Sequence, residues 1–145
     1  NGMTTVSALL HDKSVQSVQS LPPGASVLDA IRLMAEHHIG SVLVTEVGRP
    51  VGIVTERDYA RKVILKGRSS ADTPLSDVMS SPVLSVSSSD SIEHCMQLMT
   101  ERKIRHLPVL DDNKLMGMLS IGDLLKALLA LRQREIEQLQ QYITG

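Results

Sequence analysis

Two places in the chain combine a hydroxyl and a carboxylate at a spacing that suits nucleotide binding. Thr55 precedes Asp58 by three residues, and Ser120 precedes Asp123 by the same interval. A glycine stands three residues before each hydroxyl, so the shared pattern is Gly52-x-x-Thr55-x-x-Asp58 and Gly117-x-x-Ser120-x-x-Asp123. The apolar residues before each hydroxyl and the pattern after it predict a strand that runs directly into a helix.

Such a junction offers the groups that a nucleotide requires. A helix N-terminus carries unpaired N–H groups and the positive end of a dipole, which favour phosphate. The hydroxyl can donate to phosphate or ribose, and the carboxylate can accept from both ribose hydroxyls. A glycine at the strand leaves space for a ligand or a backbone segment to approach closely.

The same spacing also fits a helix capping box, and a single motif of this kind is more often structural than functional. Two observations favour binding over capping alone. The glycine recurs in both places, and basic residues gather close to the motifs: Arg57, Arg61, Lys62, Arg105 and His106.

The chain is an internal repeat. A shift of 65 residues aligns Leu10–Asp58 with Leu75–Asp123 without a gap and with twelve identical positions. Each copy predicts the order strand, helix, strand, strand, helix. The predicted strands are Val15–Ser20, Val42–Thr45 and Val51–Val54 in the first copy, and Val83–Ser87, Leu107–Leu110 and Leu115–Leu119 in the second. Ser26 and Ser91 are the expected N-caps of the first helices, and the last helices should begin at Glu56 and Ile121.

Composition narrows the functional class. Fifteen Lys and Arg against sixteen Asp and Glu give a net charge of −1, which argues against a nucleic-acid binder. No apolar run is long enough to span a membrane, no signal peptide is recognisable and the lone Cys95 cannot form an internal disulfide, so we expect a cytoplasmic protein. Phe and Trp are absent, so a bound purine would contact aliphatic side chains and backbone.

The sequence resembles the cystathionine-β-synthase (CBS) domain family, specifically the small bacterial stand-alone proteins made of one CBS pair. The segments that carry the resemblance are Ile39–Val42, Thr55–Lys62 and Ile104–Val109, and it extends from about Val6 to Leu129. It implies an α/β (α+β) fold, a tandem CBS pair in which each module has the order β-α-β-β-α and the two pack with pseudo-two-fold symmetry. The corresponding boundaries are 6–67 for module 1, 68–76 for the linker, 77–130 for module 2 and 131–145 for a C-terminal helix extension.

The resemblance also implies a binding site. In that family the Gly-x-x-Ser/Thr-x-x-Asp motif binds adenosine nucleotides in clefts between the paired modules. Asp58 and Asp123 would then hold riboses, while Thr55 and Ser120 face the sugar and phosphate. The expected binding residues are Ser14, Val15, Ser17, Ile39, Gly40, Ser41, Thr55, Arg57, Asp58, Met79, Pro82, Val83, Ile104, Arg105, His106, Ser120, Gly122 and Asp123. Adenine is expected between Ser14–Ser17 and Ile39–Ser41 at one site and between Met79–Val83 and Ile104–His106 at the other.

The two sites are not expected to be equivalent. Arg105 and His106 correspond to Gly40 and Ser41, and Arg57 corresponds to Gly122. The resemblance therefore suggests a non-catalytic regulatory module that binds AMP, ADP, ATP or NAD(H), forms a homodimer and acts on an unidentified effector protein, without a catalytic cofactor or a metal. A structural dimerisation module and a nucleotide-using enzyme are the alternatives, and only His106 is placed to serve the latter.

The end of the chain predicts a long helix with an apolar stripe. Its residues follow alternating spacings of four and three: Leu125, Leu129, Arg132, Ile136, Leu139 and Ile143. Packing against the same domain and contact with a partner helix both fit this pattern. Cys95 falls in the apolar stripe of a helix and is predicted to be a core residue. His37 and His38 are predicted to end a helix rather than to bind metal.

Overall fold

The computed structural model describes residues 5–12 and 18–144. Five α-helices and five strands occur in these ranges, with a π-helix and a 3-10 helix. In chain order the elements are α1 (Val6–Asp12), β1 (Ser20–Leu21), α2 (Val27–His37), β2 (Ser41–Glu46), β3 (Arg49–Thr55), α3 (Glu56–Tyr59), the π-helix Ala60–Ile64, the 3-10 helix Leu75–Asp77, α4 (Ile92–Arg102), β4 (His106–Asp111), β5 (Lys114–Ser120) and α5 (Ile121–Thr144). The first repeat thus has the predicted order β-α-β-β-α, and the mixed α and β content is confirmed.

The first repeat is built on a sheet of order β1-β2-β3. β1 pairs parallel with β2 across the α2 connection, and β2 pairs antiparallel with β3. Ser80 extends the sheet by an antiparallel bridge to Ile53. The first four residues of β2 are buried, as expected for a strand with neighbours on both sides.

The first helix of each repeat begins and ends in the same way. Ser26 accepts a hydrogen bond from the Asp29 N–H, and Ser91 accepts one from the His94 N–H, so both predicted N-caps are confirmed. The helices end at left-handed residues 65 positions apart, His38 (φ 54°) and Lys103 (φ 55°). The buried side chains of the two helices lie in the core: Val27, Ala30 and Met34 in α2, and Ile92, Cys95 and Met99 in α4.

The hairpins of the two repeats turn at equivalent positions. Val47 and Gly48 have φ of 52° and 75°, and Asp112 and Asn113 have φ of 50° and 63°. Two consecutive left-handed residues define the tight hairpin turn that matches the twist of the flanking strands. Val47 is β-branched and pays a steric penalty there that Asp112 largely avoids.

The last helix differs most between the repeats. α3 contains four residues and continues into the π-helix, and left-handed Gly67 (φ 67°) follows, a conformation that is common where a helix ends. α5 begins at Ile121 as predicted and extends over 24 residues, since Leu, Ala, Gln, Glu and Arg, all good helix formers, dominate it.

The predicted first strand is shorter than expected in both repeats. β1 contains only Ser20–Leu21, and residues 15–17 of the predicted Val15–Ser20 strand lie outside the described residues. The predicted Val83–Ser87 strand was wrong in extent, because it is reduced to one parallel bridge between Val86 and Val109. Ser88, which follows, bonds to a side chain instead of continuing a ladder: its hydroxyl and its N–H both donate to Asp111, which lowers the pKa of that carboxyl.

The chain forms two compact units. In the described ranges one contains residues 18–84 and 113–115, and the other contains 5–12, 85–112 and 116–144. α1 therefore belongs with the second repeat, to which it is tied by bonds from Val6 N to Asp90 O (2.9 Å) and from Ser7 N to Ser88 O (2.8 Å). The predicted boundaries instead assign residues 6–67 to module 1. The other predicted boundaries and the pseudo-two-fold packing stay predictions.

Candidate functional site

The start of the last helix is capped in the same manner in both repeats. Thr55 N donates to Asp58 Oδ2 (2.9 Å), and Asp58 N donates to Thr55 Oγ1 (3.2 Å). In the second repeat Ser120 N donates to Asp123 Oδ2 (2.9 Å), and Asp123 N donates to Ser120 Oγ (3.1 Å). Both motifs are therefore capping boxes, and the structural interpretation of the spacing is confirmed at each.

A second repeated contact brings the segment before β2 or β4 to the same helix start. Glu56 N donates to Gly40 O (3.1 Å), and Ile121 N, at the equivalent position, donates to Arg105 O (2.9 Å). Within the first repeat, Ile39, Gly40 and Ser41 thus lie beside Thr55, Arg57 and Asp58. Within the second repeat, Ile104, Arg105 and His106 lie beside Ser120, Gly122 and Asp123.

The glycine of each motif makes room for a side chain of the same unit. A Cβ atom on Gly52 would lie 2.5 Å from Met79 Sδ and 3.0 Å from Met79 Cβ. A Cβ atom on Gly117 would lie 2.8 Å from Leu10 Cδ2. Close packing therefore accounts for the recurrence of glycine, which capping alone left unexplained.

The two motif carboxylates differ in their surroundings. Asp58 Oδ2 accepts from both the N–H and the hydroxyl of Thr55, and Asp58 Oδ1 pairs with Lys62 Nζ at 3.1 Å. Lys62 Nζ also donates to Val78 O at 2.8 Å. Ala127 stands where Lys62 would be in the second repeat, so the lysine contact is specific to the first.

Lys62 was expected among the basic residues near the motif, but its contact with Asp58 was not predicted. The spacing of four residues along a helix was the available signal, since side chains at that spacing face each other. The side chain of Asp58 is 13% exposed, which leaves a ribose hydroxyl limited access to it while Lys62 stays in place.

Exposed cations flank the helix starts unequally. Arg57 and Arg61 are exposed in the first repeat, and Arg105 and Lys126, the counterpart of Arg61, are exposed in the second. Gly122, the counterpart of Arg57, lies in the first turn of α5 and contributes no side chain. A Cβ atom added to it would lie in ordinary van der Waals contact with Ser120 Oγ, at 3.6 Å. Phosphate would therefore meet a different set of charges at each helix start.

Several predicted binding residues are not brought to these two clusters by contacts within one unit. Ser14, Val15 and Ser17 lie outside the described residues. Pro82 and Val83 belong to the unit of the first repeat, together with Met79, whereas Ile104–His106 belong to the other unit. Their predicted joint contact with adenine stays a prediction.

The environment of Cys95 is that of a core residue and not of a reactive thiol. Cys95 is buried, and burial first, then the Asp90 carboxylate, raise the pKa of its thiol to about 11, which disfavours the nucleophilic thiolate at neutral pH. Its predicted place in the core is confirmed. In the described ranges no three His, Cys, Asp or Glu side chains are grouped to hold a metal ion, and no described helix has the length and apolar character to cross a membrane.

Comparison with known proteins identifies the family. The CBS domain model matches residues 12–65 and 75–130, which together make up most of the chain and coincide with the two repeats. The chain therefore belongs to the CBS domain family and carries a CBS domain pair. CBS pairs are typically regulatory modules that commonly bind adenosine-containing ligands.

Relatives agree with this assignment. The mitochondrial CBS domain-containing protein CBSX3 of Arabidopsis thaliana is 39% identical over 125 residues, which cover 83% of this chain and 61% of that protein. The chain thus spans about three fifths of the length of this relative. A CBS-domain protein of Burkholderia ambifaria has a structure with a TM-score of 0.85 and 48% identity, covering 88% of this chain and 95% of that one.

A more distant structure adds fold-level support. The CBS domain pair of protein MJ0100, in complex with 5′-methylthioadenosine and S-adenosyl-L-methionine, has a TM-score of 0.77 and 20% identity. The match covers 88% of this chain and 98% of that one. At this identity the likeness concerns the fold alone.

Proposed function

We propose that the chain is a non-catalytic sensor of an adenosine nucleotide, AMP, ADP, ATP or NAD(H), that regulates an effector protein. The observation that carries the proposal is the repeated cluster at the helix start. In each repeat a hydroxyl, a carboxylate, a helix N-terminus and the segment before a hairpin meet within one compact unit. The adenosine ligands of the MJ0100 domain pair are consistent with this chemistry on the same fold.

The proposed roles follow from the groups present. The helix N-termini at Glu56 and Ile121 attract phosphate through their dipoles, and Arg57 and Arg105 add positive charge. Asp58 and Asp123 accept hydrogen bonds from the ribose hydroxyls of the nucleotide. At Asp58 the ligand must displace or share Lys62, so the two sites are expected to differ in affinity.

Signalling would follow from differential affinity. A ligand that binds one conformation of the pair more tightly shifts the population toward it, and an effector that distinguishes the conformations then responds. No turnover of the ligand is needed for this response.

A thermal-shift series with AMP, ADP, ATP, NAD, NADH and S-adenosylmethionine tests the proposal. A ligand that binds only the folded chain stabilises it by about 2.7 kcal/mol at one hundred times its dissociation constant. At least one of these compounds should therefore raise the melting temperature. If none did so at millimolar concentration, nucleotide binding would be excluded.

The variants must separate nucleotide binding from helix capping, because Asp58 and Asp123 cap their helices and are also the proposed ribose acceptors. Asp123→Ala should abolish the shift from its site and also lower the ligand-free melting temperature. Ser91→Ala, which removes the cap of α4 in the same unit, is the matched control, since it costs similar stability without touching the site. Ser26→Ala serves likewise for Asp58→Ala.

A purely structural module is the second candidate, and the two complete capping boxes favour it. It predicts that each Asp variant and its matched Ser variant behave alike toward every nucleotide. The regulatory proposal predicts that only the Asp variants lose the ligand response.

A further inference from the structure

The largest set of exposed apolar side chains lies along α5. Leu129, Leu139 and Ile143 are 70%, 64% and 80% exposed, and Leu125 and Ile136 are about half exposed. Every described residue from 132 to 144 is exposed, so the remainder of the described chain does not cover this part of the helix. We call Leu125, Leu129, Arg132, Ile136, Leu139 and Ile143 the α5 stripe.

The α5 stripe is distinct from the face by which α5 packs in its own unit. At 3.6 residues per turn, its six members fall within an arc of about 80°. The buried Leu124 and the half-buried Leu131 lie about 100° or more from the centre of that arc, among the residues that face the unit. The helix therefore carries one apolar face for its own core and a second face without a partner in the described chain.

The spacing of the α5 stripe is that of a helix in contact with another helix. Steps of four and three alternate from Leu125 to Ile143 over about 27 Å of helix. The order of steps reads the same in both directions, with its midpoint at residue 134. When two copies run antiparallel about that midpoint, Leu125 meets Ile143 of the second copy, Leu129 meets its Leu139, and Arg132 meets its Ile136.

The charges at the midpoint select the direction. Arg132 and Glu135 form an exposed ion pair within the helix, with Nη1 and Oε1 3.2 Å apart. In the antiparallel arrangement, Arg132 and Glu135 of the second copy lie at nearly the same height along the helix axes, and the reciprocal pair forms by symmetry. In a parallel arrangement the two Arg132 side chains would instead face each other at the same level, which is unfavourable.

From this palindromic spacing and the Arg132/Glu135 complementarity, we infer that the α5 stripe binds the α5 stripe of a second copy of this chain in an antiparallel helix pair. The inference does not rest on nucleotide binding. The pair buries five apolar side chains per copy and exchanges the exposed ion pair within each helix for two across the interface.

Sedimentation equilibrium of the full chain tests the contact. Leu139→Glu places a carboxylate inside the pair and should weaken self-association at least tenfold. Gln141→Glu introduces the same charge on the opposite side of the helix, where Gln141 is also exposed. This variant should change the self-association constant less than twofold. Because Leu139 is exposed in the single chain, both variants should retain the wild-type melting temperature at low protein concentration. Self-association unaffected by Leu139→Glu would overturn the inference, as would an equal loss with Gln141→Glu.

Cysteine crosslinking tests the direction. Chains carrying Leu129→Cys are mixed with chains carrying Leu139→Cys, oxidised and cleaved with trypsin, which separates the two positions at Arg132 and Arg134. The antiparallel pair predicts a disulfide between position 129 of one copy and position 139 of the other. The antiparallel direction would be contradicted if most disulfides joined position 129 to position 129, or position 139 to position 139, of the two copies.

Discussion

Gly52→Ala is the perturbation that best separates the packing role of the motif glycine from a ligand role. The new methyl group would lie 2.5 Å from Met79 Sδ and 2.8 Å from Met79 Cγ, where unstrained carbon contacts need about 3.5–4.0 Å. Forced overpacking of this kind costs about 1–3 kcal/mol, and removing a strand glycine returns up to about 1 kcal/mol. We expect a net loss of about 1–2 kcal/mol in the free energy of unfolding without ligand.

A double-mutant cycle with Met79→Ala measures whether the conflict is the cause. Met79→Ala removes Sδ and Cγ but leaves Cβ at 3.0 Å from the new methyl group, so it should relieve about 1 kcal/mol rather than the whole loss. Gly117→Ala meets only the flexible end of Leu10, with Cδ2 at 2.8 Å, and should cost less than Gly52→Ala.

Urea unfolding of the single and double variants provides the energies. The packing argument would be refuted if the Gly52→Ala chain were as stable as the wild type. It would also be refuted if the effects of Gly52→Ala and Met79→Ala on the free energy of unfolding were additive. If that stable variant had also lost its nucleotide response, the glycine would serve the ligand instead.

Three further outcomes follow from the same contacts. Thr55→Ala and Ser120→Ala should each lower the free energy of unfolding by about 1 kcal/mol in urea titrations, because each removes a helix cap; unchanged stability would contradict the capping geometry. Lys62→Ala should change stability by less than about 1 kcal/mol, as expected for a partly exposed pair, yet raise the affinity for adenosine several-fold in calorimetry because Asp58 Oδ1 is released; weaker adenosine binding would show that Lys62 is a ligand contact. Because the pKa of the Cys95 thiol rises from 9.0 to about 11 on folding, the unfolded chain ionises first and stability should fall as the pH rises from about 9 to about 11, a fall that Cys95→Ala should lack in pH-dependent unfolding.

The sequence predicted the elements whose signals are local. Ser26 and Ser91 were identified as caps because a hydroxyl preceding an apolar period is itself the structural cause of a helix start. The two consecutive strands of each repeat were predicted, and both turns that connect them have two left-handed residues. The start of α5 at Ile121 followed from the same logic.

Features that depend on contacts between residues far apart in the sequence were not predicted. The assignment of α1 to the second repeat depends on hydrogen bonds to Ser88 and Asp90, which no local pattern encodes. The shortening of the Val83–Ser87 strand depends on Ser88 bonding to Asp111, 23 residues away. Packing of Met79 on Gly52 is likewise non-local, so the glycine could be noticed but its neighbour could not be named.

The candidate site was predicted as a set of residue types and only partly as an arrangement. The motif residues and the segments at Ile39–Ser41 and Ile104–His106 meet within their own units, as bonds to Gly40 O and Arg105 O show. The ion pair between Asp58 and Lys62 was not predicted, because the carboxylate was considered only as an acceptor for ligand or as part of a helix cap. Both predicted functions of the Thr55 motif, capping and binding, use the same two side chains, so the sequence alone left them open.

Calorimetric titration of AMP, repeated with ATP and NADH, into the wild-type chain, Asp123→Ala and Ser91→Ala is the most direct test of the proposed function. The proposal predicts two unequal binding events in the wild type for at least one of these nucleotides. It also predicts that one binding event is lost in Asp123→Ala. Both binding events should be retained in Ser91→Ala, which is destabilised to a similar extent. No binding of any of the three nucleotides, or equal loss in the two variants, would contradict it.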